Sequence, residues 1–138
     1  MAFIVDVSLA AAWILPDDSS PAADLLLANL NGGRALAPSL FWHEARSIVT
    51  MAEKRGRIGK GEALAYLAGL RALPIETRGD GPDGVILSLA LAHGLTSYDA
   101  AYLALAMTER LPLATLDKKL AAAARAENIA LLGPLATP

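Results

Sequence analysis

Four short acidic motifs are spread over nearly the whole chain. They are Asp6 in Phe3-Ile4-Val5-Asp6, Glu44 in Phe41-Trp42-His43-Glu44, Asp99 in Leu95-Thr96-Ser97-Tyr98-Asp99, and Asp117 in Leu113-Ala114-Thr115-Leu116-Asp117. No His/Cys cluster, Ser/His pair or glycine-rich phosphate loop competes with them. Carboxylates brought together repel one another, so their pKa values rise unless a cation neutralises them. An oxygen-only set of this kind suits Mg²⁺ or Mn²⁺, which keep bound waters for chemistry. The natural reaction is metal-assisted hydrolysis of a phosphodiester, with one ion activating water and a second able to steady the leaving oxygen.

Each acid also has a plainer reading. Asp6 ends an apolar strand, and open parallel sheets place their sites at the carboxyl ends of strands, where the loops diverge. Its plainer role is to bond the backbone at Val7-Ser8 and start a helix. Asp117 likewise follows a strand, yet aspartate is a good N-cap for a helix beginning at Lys118. Thr115 would share the strand face of Asp117 and could add a hydroxyl. Asp99 falls in a first helical turn, where a carboxylate also serves the helix dipole or a capping box. Glu44 shares a helix face with Leu40 and Ile48, and a glutamate on an apolar face needs a reason, a buried arginine pair being the bland one. Tyr98 and Tyr102, one turn apart, line one side of the Asp99 helix and read as core in preference to base-stacking platforms. His43 reads as a surface or core histidine, since a lone histidine cannot build a zinc site.

The elements that must position these groups alternate short apolar runs with amphipathic ones, the mark of an α/β domain with a parallel sheet. Residues 3–6 read as a buried strand, with Ser8 capping a helix over 9–15 that Pro16 stops. Ser20-Pro21 opens a second helix closed by Gly32-Gly33. A weak strand over 35–37 leads into a helix opened by Pro38-Ser39 and ended by Gly56. A helix over 60–73, a short strand at 74–76 and a glycine-rich loop over 77–84 follow. Residues 85–93 are apolar nearly all round and predict a buried helix stopped by Gly94. Then come a helix over 99–108 capped by Thr96 or Ser97, a strand at 113–115, a helix over 118–127 and a strand at 129–132. No repeat or long linker divides residues 1–138, which read as one domain.

Composition narrows the classes. The chain is 54% apolar with a mean hydropathy of +0.41 and no cysteine, so disulfides, thiolate zinc sites and thiol nucleophiles are excluded. No apolar run approaches the roughly 18 residues a bilayer needs. The start reads as a strand, not a signal peptide, so a cytoplasmic protein is expected. Apolar excess without a membrane span points to a partner surface, most simply a homodimer. A net charge of −2 argues against nucleic-acid binding by bulk charge. It leaves a local basic track at Lys54, Arg55, Arg57 and Lys60, with Arg46 nearby.

Val5-Asp6-Val7-Ser8 with Trp13-Ile14-Leu15-Pro16-Asp17-Asp18, then Ala37-Pro38-Ser39-Leu40 leading to Glu44, resembles the start of a PIN domain. The run from Leu95 to Ala106, followed by Leu113-Ala114-Thr115-Leu116-Asp117, is similar to the VapC toxins of VapBC toxin–antitoxin pairs. The resemblance implies a three-layer α/β/α fold with a mostly parallel central sheet and a Mg²⁺- or Mn²⁺-dependent ribonuclease. Asp6, Asp99 and Asp117 would ligate metal, and Glu44 would complete a catalytic quartet. It further implies an RNA substrate, a homodimer and a cognate antitoxin lying across the groove. Two positions depart from the pattern: Ser47 where the family usually has Asn, and Ala12 where lysine commonly precedes the tryptophan. A non-catalytic PIN-like RNA- or protein-binding module is the alternative, and would be signalled by a lost carboxylate. A small-molecule phosphate hydrolase would need a phosphate-cradling loop or a second aspartate two residues after Asp6, where Ser8 stands.

Overall fold

Strand β1 (Ala2–Val5) carries Phe3, Ile4 and Val5, all wholly buried. A strand without a polar face must be covered on both sides, which requires helices above and below. The computed structural model, which describes residues 1–136, has that arrangement. The chain runs β1, α1 (Val7–Ile14), α2 (Pro21–Asn29), β2 (Arg34–Pro38), α3 (Phe41–Lys54), α4 (Ala63–Arg71) and β3 (Ile75–Arg78). It continues through α5 (Asp83–His93), α6 (Ser97–Glu109), β4 (Leu113–Ala114), α7 (Lys118–Ala126) and β5 (Leu131–Leu132). The strands form one sheet in the order β3-β2-β1-β4-β5, and every pairing is parallel. This is the expected three-layer α/β/α fold.

The order explains the layers. From β1 the chain steps outward to β2 and β3, then returns to β1's other side for β4 and β5. Right-handed crossovers put helices on one face for the first direction and on the opposite face for the second. Accordingly α1 packs on α2, α3 and α4, whereas α6 packs on α5 and α7 and lies across β1, β2 and β4. Buried Tyr102, Leu103 and Ala106 of α6 fill that second interface.

Three local expectations are corrected. Ser8 is not a helix cap: α1 begins at Val7 with Asp6 in the capping position, and the Ser8 hydroxyl turns to Asp6. Helix α5 forms where expected but is not buried; Leu89 alone is buried, while Leu87 is 56% and Leu91 85% exposed. It lies outermost in its layer, touching α6 along one side, and an all-round apolar pattern cannot distinguish that placement from a core helix. Tyr98 and Tyr102 part company: Tyr102 is fully buried, and Tyr98 is 62% exposed. The first turn of α6 leaves Tyr98 at the surface, and the tyrosine one turn deeper reaches the core.

Candidate active site

The sheet reverses its direction of growth between β1 and β4, and the crevice beyond their carboxyl ends is where such folds bind ligands. Asp6 and Asp117 follow those two strands. The strands are in register at Ile4–Leu113 and Val5–Ala114, and the Asp6 amide donates to the Ala114 carbonyl at 2.9 Å. Two residues 111 apart in sequence are thereby delivered to one place.

Asp6 is only 3% exposed, and Ser8 Oγ and Thr115 Oγ1 each donate to its Oδ2 at 2.6 Å. The same two hydroxyls accept from the amides of Leu116 (2.9 Å) and Asp117 (3.0 Å), so the β4–α7 turn is tied to the Asp6 side chain. Oδ1 of Asp6 has no hydrogen-bond partner among the described residues. Burial pushes the Asp6 carboxyl up to about 6; the two hydroxyls pull the other way, and the charges of Asp99 and Asp117 add to the rise.

Asp117 does cap α7, its Oδ1 accepting from the amides of Lys119 (2.9 Å) and Leu120 (3.1 Å). Both bonds use the same oxygen, and the charge still reaches Asp6 and Asp99. Thr96 is the cap of α6, accepting from the Asp99 amide at 3.1 Å, which sets Asp99 in the first turn. Asp99 is raised by burial and then by Asp117, with Thr96 and Lys119 holding it back. Glu44 projects from the first turn of α3 and accepts from the Tyr102 hydroxyl at 2.7 Å. Its carboxyl is raised by burial, relieved by that hydroxyl, and raised again by Asp6 and Asp99. The Tyr102 phenol is in turn pushed far up by burial and by the charges of Asp6 and Glu44, so it remains a donor.

The four anticipated acids are linked electrostatically: the charges of Asp6 and Asp99 reach Glu44, that of Asp99 reaches Asp6, and that of Asp117 reaches both Asp6 and Asp99. Among the described residues, no three His, Cys, Asp or Glu side chains close into a ready-made metal cage. The donor chemistry nevertheless fits a hard divalent cation: the set is oxygen-only, Lys119 tempers the charge at Asp99 but leaves its carboxyl raised, and Asp6 retains an oxygen with no hydrogen-bond partner among the described residues. Two supporting residues were not anticipated in these roles. The partner of Glu44 is Tyr102 instead of an arginine, and Ser8 serves the carboxylate instead of the helix end. Ser8 lies two residues after Asp6, which was a usable signal; the remote Glu44–Tyr102 pairing offered none. His43 is exposed beside Arg46 (3.2 Å between side-chain nitrogens), and Arg57 of the basic track is held by Asp17 and Asp18.

The PIN domain family matches residues 3–126. Ribonuclease VapC3 of Pyrobaculum aerophilum is 32% identical over 125 residues, spanning 88% of this chain and 93% of that protein. The crystal structure of PAE2754 from Pyrobaculum aerophilum has a TM-score of 0.69 at 25% identity, covering 89% of this chain and 79% of that one. A toxin–antitoxin complex from Klebsiella pneumoniae has a TM-score of 0.56 at 18% identity, over 85% and 88% of the two chains, a likeness of fold.

Proposed function

The chain belongs to the PIN domain family, and from that premise we propose that it is a VapC-type endoribonuclease, the toxin of a toxin–antitoxin pair. The observation that carries the reading is the electrostatic linkage of Asp6, Glu44, Asp99 and Asp117, with Asp6 and Asp117 directly following the two strands at the switch point of the sheet. The relatives named above support both the chemistry and the antitoxin partner. A single family match over residues 3–126 and a single sheet support reading residues 1–138 as one domain.

Asp6, Asp99 and Asp117 would hold Mg²⁺ or Mn²⁺, with Glu44 on the flank. A divalent ion bound there supplies neutralisation of the RNA phosphate and a lowered pKa for water. The protein's own residues do the rest. Ser8 and Thr115 fix the Asp6 carboxylate through one oxygen and leave the other without a hydrogen-bond partner among the described residues. Tyr102 orients Glu44, whose raised proton affinity suits it to accept a proton from water. The caps from Thr96 and Asp117 hold α6 and α7 so that Asp99 and Asp117 keep their places.

The test is direct. Pure protein incubated with total RNA should cut discretely in Mg²⁺ or Mn²⁺ and not in EDTA, and Asp99→Asn should lose cutting by about a hundredfold or more while keeping its fold. Undiminished cutting by folded Asp99→Asn would remove that residue from the mechanism. Folded, antitoxin-free protein that cuts in no metal would favour a non-catalytic binding module.

A further inference from the structure

Beside the carboxylates lies a cavity of about 380 Å³. Its walls are Leu40, Ile48 and the ring of Tyr98; Glu44 is shared with the acidic crevice; His43 and Ser47 bring polar groups to its edge. Tyr98 immediately precedes Asp99, yet it leaves most of its ring in water, unlike its neighbour Tyr102. Tyr98, His43 and Leu40 also line a second cavity of about 380 Å³, together with Ser39 and Asp80, so the tyrosine borders both spaces.

We propose that Tyr98 is a stacking platform for one nucleobase of the RNA, with His43 and Ser47 reading the edge of that base. The proposal rests on the ribonuclease reading and assigns the residues that select the sequence cut. The size falls within the usual range for ligand pockets, roughly 300–1,000 Å³. Apolar walls joined by the polar side chains of His43, Ser47 and Glu44 match a flat ring with hydrogen-bonding edges. A base is uncharged, so it tolerates the field of the neighbouring carboxylates, whereas an acidic side chain would not. Because Glu44 belongs to both spaces, a base seated here belongs to a nucleotide next to the bond being broken. Only an unpaired base can be turned into such a slot, so the substrate must be single-stranded or looped at that point.

The experiment uses Asp6→Asn protein in Mg²⁺, which should bind without cutting, and a fluorescently labelled mixed-sequence single-stranded hexaribonucleotide followed by anisotropy. Adding Tyr98→Ala should weaken binding on the order of tenfold, the usual scale for loss of a base–aromatic stack. Tyr98→Phe and Tyr98→Trp should bind within about twofold of the parent, since the face and not the hydroxyl is used. A hexamer carrying abasic riboses should bind the parent and its Tyr98→Ala derivative alike. With the four homohexamers, His43→Ala or Ser47→Ala should change the order of preference. An affinity that Tyr98→Ala leaves unchanged overturns the slot and gives the cavity to a protein partner's side chain. The cutting of total RNA by the unaltered chain is scored separately: if cutting persists, only the slot has failed, and if neither cutting nor hexamer binding occurs, the ribonuclease reading has failed with it.

Discussion

Asp6 concentrates the cost of assembling this site. Its carboxyl is raised from 3.8 to about 6 in the folded protein, so the folded state holds the proton more tightly than the unfolded state. The linked stability is fully present below the unfolded value of 3.8 and is lost as pH rises to about 6, where the buried group ionises. In EDTA, the thermal midpoint should therefore decline over that window relative to Asp6→Asn, whose slope should be flatter. Equal slopes in the two proteins would show that Asp6 does not titrate there. Mg²⁺ added above that window should restore stability to the unaltered chain by mass action and do less for the variant. Asp6 was legible in the sequence because a carboxylate at the end of a wholly apolar strand has few reasons to be there, whereas Asp99 and Asp117 each had a helix-end role open to them and were legible only in combination with the other acids. Their supports were less so. Thr115 could be placed near the site from strand periodicity, but Tyr102 depends on α6 crossing the sheet to reach α3, and no local pattern encodes that.

Among the elements, the passage from α5 to α6 is the one on which Asp99 most depends. Gly94 ends α5 in the left-handed conformation at φ +61°, and the chain then turns through buried Leu95 to the Thr96 cap. A side chain at Gly94 meets Lys119 only at ordinary contact distance, so the penalty of substitution is conformational. Gly94→Ala should cost about 1 kcal/mol in chemical denaturation, with a larger fractional loss of RNA cutting because Asp99 shifts with the turn. Gly94 as a stop and Thr96 as a start were both readable, since backbone handedness and capping are local chemistry. The depth of α5 was not readable. Its composition is that of a buried helix, and whether its outer face meets solvent or protein depends on what lies beyond the chain.

For the whole molecule, that outer face is the clearest sign of self-association. Leu87 and Leu91, one turn apart, form an apolar strip on α5 away from buried Leu89, with further exposed leucines at Leu25 and Leu64. No helix of the described residues is long and apolar enough to cross a membrane, so a lipid-spanning helix does not account for the strip. We expect a homodimer that buries it: sedimentation should give twice the chain mass, and Leu87→Glu with Leu91→Glu should give a folded monomer. An unaltered chain that sediments as a monomer at every concentration would contradict this. The β1–β4 pairing also orders events in time. Asp6 is synthesised 111 residues before Asp117, and the two cannot meet until β4 has emerged and found β1 across that span of polypeptide. On the proposed reading, a nascent chain is unarmed through most of this domain's translation, and would acquire its cutting edge only after the ribosome has read far past the codon for its first acid.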